Sequence, residues 1–107
     1  MITPALEIHS LTERSVEFEW TTIDHNQFDG YKLVISKDDT RPSYPEDGYM
    51  TYITKAETHT FQVNIGDIPQ RGDFKSIEQN VIYHATITAL YGDDKLTSES
   101  VSFILSE

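Results

Sequence analysis

The sequence predicts an all-β fold, a two-sheet antiparallel sandwich of seven short strands. Three observations carry that prediction. Four strings alternate apolar and polar residues and each holds an aromatic: Ser15-Val16-Glu17-Phe18-Glu19-Trp20, Gly30-Tyr31-Lys32-Leu33-Val34-Ile35-Ser36, Thr60-Phe61-Gln62-Val63-Asn64-Ile65, and Val81-Ile82-Tyr83-His84-Ala85-Thr86-Ile87-Thr88-Ala89. Successive side chains of a strand point to opposite faces, so a period of two marks half-buried strands. No segment of useful length repeats at the helical period. Turn chemistry cuts the strings where a sandwich needs turns: Thr12-Glu13-Arg14, Asp29-Gly30 and Gly92-Asp93-Asp94.

The elements follow in chain order. The first strand covers residues 6–11, with Leu6 and Ile8 inward. The second, 15–21, turns Val16, Phe18 and Trp20 inward and leaves Glu17 and Glu19 in water. The third, 30–37, buries Tyr31, Leu33 and Ile35, and a shorter fourth spans 51–54. The fifth, 58–65, faces Phe61, Val63 and Ile65 inward. The sixth, 81–91, does so with Tyr83, Ala85, Ile87 and Ala89, and the seventh, 98–105, with Val101, Phe103 and Leu105. The core is expected around Trp20, Tyr31, Leu33, Phe61, Tyr83, Ile87 and Phe103. Two connections are long, 38–50 and 66–80, and loops of that length are usually functional or self-structured.

A chain of 107 residues suits one domain, 1–107, with a single core. It has no cysteine, so neither a disulfide framework nor a thiolate metal site is expected. Eighteen acidic against eight basic residues give a formal charge of −10, which opposes phosphate backbones and anionic membrane surfaces. No apolar run approaches the roughly 20 residues that span a bilayer. Met1-Ile2-Thr3-Pro4 lacks the basic and apolar regions of a signal peptide. The ends fall just outside the first and last predicted strands, as in an excised module.

Trp20 in the second strand, Tyr31 opening the third and Tyr83 opening the sixth give the chain its resemblance to a fibronectin type III domain, an immunoglobulin-like sandwich, over nearly its whole length. The resemblance implies that Trp20 is central to the core and that the Tyr83 hydroxyl bonds backbone near the preceding turn. The apolar partner of that tyrosine corner is Ile68 or Ile77. The strings Gly30-Tyr31-Lys32-Leu33-Val34-Ile35-Ser36, Tyr44-Pro45 with Gly48-Tyr49, and Ile87-Thr88-Ala89-Leu90-Tyr91-Gly92-Asp93 are similar to a variant in secreted and cell-surface proteins of Gram-positive bacteria. That similarity implies a non-catalytic spacer or accessory module, extracellular or on the cell surface, whose partners are neighbouring domains of a longer chain.

Candidate binding residues lie in the long connections. Tyr44, Tyr49 and Tyr52, stiffened by Pro42 and Pro45, could stack on sugar rings of a cell-wall or other polysaccharide, or anchor a protein partner. Phe74 is a further candidate for that surface, or else folds back on the core after Gly72. The same segment could instead cover the outward apolar residues Val34, Ile82, Leu90 and Ile104. Arg71-Gly72-Asp73 spells an integrin-type adhesive tripeptide, but it precedes the sixth strand, whereas the family's known adhesive loop follows it.

Two acidic groups offer oxygen ligands: Asp24 and Asp29 near Asp93 and Asp94, and Asp38, Asp39, Glu46 and Asp47 near Asp67 and Asp73. Neither has the spacing of a calcium loop, so no metal and no cofactor is expected. His9, His25, His59 and His84 show no ligand spacing. No nucleophile elbow, phosphate loop or cleft-forming carboxylate pair is present, so no catalytic residue is assigned and an enzyme is not expected.

Overall fold

The computed structural model describes residues 4–23, 27–72 and 74–106. Strand β1, Leu6–Leu11, turns back through Thr12, whose hydroxyl accepts the Arg14 and Ser15 amides at 3.2 and 3.0 Å. It thereby pairs antiparallel with β2, Ser15–Trp20, with one bulge between Ile8 and Ser10. The far side of β2 pairs with β5, Thr60–Asn64, giving a three-stranded sheet in the order β1-β2-β5.

The second sheet runs β4 (Thr51–Ile53), β3 (Phe28–Ser36), β6 (Ile82–Tyr91) and β7 (Asp94–Thr97), with β8 (Val101–Ile104) pairing β6 as well. This is the antiparallel, helix-free sandwich that the alternation predicted. Its last strand differs from the predicted 98–105. It is broken into β7 and β8, which pair with different stretches of β6. Gly92, at φ +56°, closes a two-residue turn, so Tyr91 already pairs with Asp94 and residues assigned to a turn become strand. The break sits at Ser98, whose backbone amide donates to the Ile87 carbonyl and whose Oγ accepts the Ile87 amide at 3.0 Å.

The two sheets bury Val16, Phe18 and Trp20 of β2 against Tyr31, Leu33 and Ile35 of β3, Tyr83, Ala85 and Ile87 of β6, and Phe103 of β8. The rings of Phe18, Phe103, Tyr83 and Phe74 form a continuous series at centroid spacings of 5.4, 5.5 and 5.4 Å. Trp20 packs on Tyr31 at 5.7 Å. Phe61, expected in the core, is only half-buried because β5 is the edge of its sheet, and it packs against the core from the rim.

Two interior phenols tie loops to the sandwich. The Tyr83 hydroxyl accepts the Glu78 amide at 3.0 Å and faces the Ser76 carbonyl at 3.5 Å. Of the two candidate apolar partners, Ile77 is fully buried in the core cluster that holds Tyr83, while Ile68 is 72% exposed. The Tyr31 hydroxyl accepts the Ile23 amide at 3.1 Å and donates to the Ala56 carbonyl at 2.9 Å. Burial pushes both phenols above their usual pKa, and the amide donors from Ile23 and Glu78 partly oppose it.

Candidate functional site

The 38–50 connection leaves β3 and lies over the outer face of the second sheet. It is anchored from below: Thr86 Oγ1 on β6 donates to the Pro42 carbonyl at 2.8 Å, and the Lys95 ammonium donates to the Tyr44 carbonyl. Ser36 Oγ accepts the Asp38 and Asp39 amides at 3.2 and 3.0 Å as the chain turns off β3. Residues 43–48 then form a tight knot. Asp47 accepts the Ser43 amide at 2.9 Å, Ser43 Oγ donates to Glu46 Oε2 at 3.0 Å, and the Gly48 amide donates to the Pro45 carbonyl at 3.1 Å. The Tyr44-Pro45 bond is cis. The Glu46 carboxyl is held below its usual pKa by its own backbone amide and then by the Ser43 hydroxyl.

The cover is partial. Val34 is fully buried beneath it, but Ile82 and Ile104, paired across β6 and β8, remain 58% and 37% exposed. The expectation that all four outward apolar residues are covered therefore fails at the end of the sheet that the segment does not reach.

Three of the four candidate ligand residues converge. Tyr44, Tyr49 and Tyr52 surround the ammonium of Lys32, whose Nζ lies 5.1, 3.5 and 3.9 Å from their ring centroids. Lys32 points outward from β3, yet it is only 6% exposed and is in no ion pair among the described residues. An aromatic face attracts a cation, and the attraction is worth most where water is excluded. The Tyr44 and Tyr49 rings meet edge-on at 5.9 Å, and the Tyr52 hydroxyl donates to the Asp29 carbonyl at 2.8 Å. Sequence reasoning placed the tyrosines together but missed their occupant. The signal was a lysine at an outward position directly across β3–β4 from Tyr52.

Phe74, the fourth candidate, does not join them. It is buried against Tyr83 in the core. Arg71 does approach the tyrosines: its backbone pairs with Tyr49 in both directions, at 2.6 and 3.0 Å, joining the two long connections. Gly48, at φ +71°, permits this approach, since a Cβ there would lie 2.2 Å from the Arg71 carbonyl oxygen. Arg71 and Gly72 are exposed, with the Arg71 backbone held rather than free-standing, and Asp73 lies outside the described residues.

The carboxylates mostly serve their own turns. Asp39 accepts the Arg41 amide at 2.9 Å and Asp67 the Asn64 amide at 2.8 Å. Asp29, Asp93 and Asp94 do share one open cleft, with Tyr44, Leu90 and Lys95, whereas Asp24 lies outside the described residues. Among the described residues no group of three His, Asp or Glu side chains could hold a metal ion together. His9 sits between Glu17 and Glu19, at 3.8 and 4.0 Å, and His59 contacts the Glu57 carbonyl, while His25 lies outside the described residues.

Among solved structures, 21 chains are similar. One, described as "Myokine structure", aligns over 98% of this chain and 97% of its own, at 16% identity and a TM-score of 0.59. Identity that low speaks for the fold alone, and fold does not dictate function. No family model and no curated protein matches the chain.

Proposed function

We propose that this domain is a non-catalytic structural or interaction module, a spacer or accessory domain of a larger bacterial extracellular or cell-surface protein. The observation that carries this reading is the use made of the tyrosines. Tyr44, Tyr49 and Tyr52 each turn a ring to Lys32 of the same chain, so the aromatic cluster fastens a loop to a sheet. Loop carboxylates and interior phenols likewise spend their bonding on backbone. A molecule fastened in this way suits holding neighbours apart. The bacterial and extracellular setting rests on the resemblance of the strings around Tyr31, Tyr44 and Leu90.

The test is replacement within the parent chain. Exchanging this domain for an unrelated sandwich of similar length should preserve the parent's activity, while deleting it should not. Loss of activity on exchange would overturn the spacer reading and make the domain's own surface the working part. The second reading, a carbohydrate- or protein-binding surface, is favoured by Tyr52, which stays 39% exposed despite its place in the cluster. Adhesion through Arg71 and Asp73 would require cell attachment that Asp73→Ala abolishes.

A further inference from the structure

The side of the tyrosine cluster away from the sheet opens into a cleft of about 310 Å³ lined by Tyr44, Pro45, Gly48, Tyr49 and Arg71. Its walls come from both long connections, and the Tyr49–Arg71 backbone pairing fixes their separation. The rings are fixed too, because Lys32 and their mutual edge contact hold them from behind. Tyr44 and Tyr49 are half-buried, so each keeps part of its surface in the cleft. Arg71 is exposed, and its guanidinium has no ion-pair or hydrogen-bond partner among the described residues. By contrast, Arg41 meets Glu99 at 3.5 Å.

We infer that this cleft is a binding site for an acidic sugar, a uronate unit of a polysaccharide. The two tyrosines supply flat apolar surface for the C–H face of a sugar ring, at small entropic cost because they are already positioned. The guanidinium supplies a planar fork that matches a carboxylate with two parallel hydrogen bonds. The volume suits about one monosaccharide, near the lower end for small-ligand sites. The net charge of −10 does not forbid an anion here. At 0.15 M salt exposed charges farther than roughly 8 Å are largely screened, so the local balance sets Arg71 against Glu46 and Asp47, whose carboxylates are turned to Ser43. The inference rests on the second reading, a carbohydrate-binding surface, and goes beyond the spacer reading, which stands whether or not the sugar binds.

The experiment is an amide NMR titration of the intact chain at 0.15 M salt with tri-galacturonate, and with maltotriose and acetate as comparators. The expected result is saturable shifts confined to residues 44–49 and 70–72 with tri-galacturonate. Affinity for maltotriose should be weaker by about tenfold or more, the usual worth of a charge-assisted pair. Arg71→Gln should weaken tri-galacturonate by a similar factor, and Arg71→Lys by less. Both variants keep the backbone pairing with Tyr49, and unchanged melting temperatures would confirm the fold. Absence of saturable shifts, an unaltered affinity in Arg71→Gln, or equal shifts with acetate would each overturn the proposal. The last would reduce the site to a general anion contact.

Discussion

The two outer faces of the sandwich are written in the same alternation and reach opposite states. On the first sheet β2 turns Glu17 and Glu19 outward, where they stay half-exposed beside His9. On the second sheet β3 turns Lys32, Val34 and Ser36 outward, and β6 turns Thr86 and Thr88 outward, yet all five are buried. The strands do not differ in kind; the 38–50 connection lies over one face, and among the described residues no comparable segment lies over the other. Each polar group under the cover then has a protein partner: Thr86 with Pro42, Ser36 with the Asp38 and Asp39 amides, Thr88 with Thr97 at 3.1 Å, and Lys32 with three rings. Polar groups on the open face can rely on water. A buried polar group without a partner costs about 1–3 kcal/mol, so covering a face obliges every group beneath it to be matched.

The sharpest way to break this contrast is Val34→Asp. A carboxylate at this fully buried position, with the neighbouring Lys32 ammonium already held among three rings, should abolish folding or lift the cover entirely, visible as a lost or expanded NMR spectrum. Val34→Ala is the milder form, expected to cost about 2–3 kcal/mol in urea denaturation. A cost below about 0.5 kcal/mol would mean that the cover does not pack on the sheet. Next in size is Lys32→Met, which keeps most of the stem and removes the charge. Three rings within 5.1 Å of a shielded ammonium predict a loss of about 1–2 kcal/mol, with shifts at Tyr44, Tyr49 and Tyr52. A more stable variant would show that desolvating the ammonium outweighs its attraction to the rings.

The inner face of each sheet was legible because alternation encodes it directly. Val16, Phe18 and Trp20 read inward from sequence and are buried in the structure. The outer face of the second sheet was not, since period two says which residues share a face and nothing about what covers it. Lys32 drew no separate reading from the sequence for that reason. The tyrosines were legible as a group by their crowding within and just after a segment stiffened by Pro42 and Pro45, but their target was non-local. Lys32 lies on β3, 12 residues before Tyr44, and only the β3–β4 register brings Tyr52 across from it. Strand β7 escaped notice for a different reason: its four residues, Asp94–Thr97, hold one apolar side chain, too few to display an alternation. Phe74 was legible both as a ligand contact and as a side chain folded back on the core, since loop sequence gives no period to decide between them; its burial against Tyr83 decides for the core.

Smaller effects refine the contrast. Thr86→Val keeps the shape of the side chain and removes its bond to the Pro42 carbonyl, leaving that acceptor under the cover; about 1 kcal/mol should be lost. On the open face the corresponding experiment is Glu17→Gln. Its carboxylate lies 3.8 Å from His9 Nε2, with both side chains substantially exposed. Exposed pairs exchange one well-solvated arrangement for another and typically contribute about 0–1 kcal/mol, less as salt rises. The expected change is under about 0.5 kcal/mol and should shrink further in 0.5 M salt. A loss as large as that of Thr86→Val, persisting in high salt, would mean that Glu17 is shielded from solvent. The first sheet would then need a covering partner of its own, and the asymmetry between the two faces would belong to the isolated chain rather than to its assembled state.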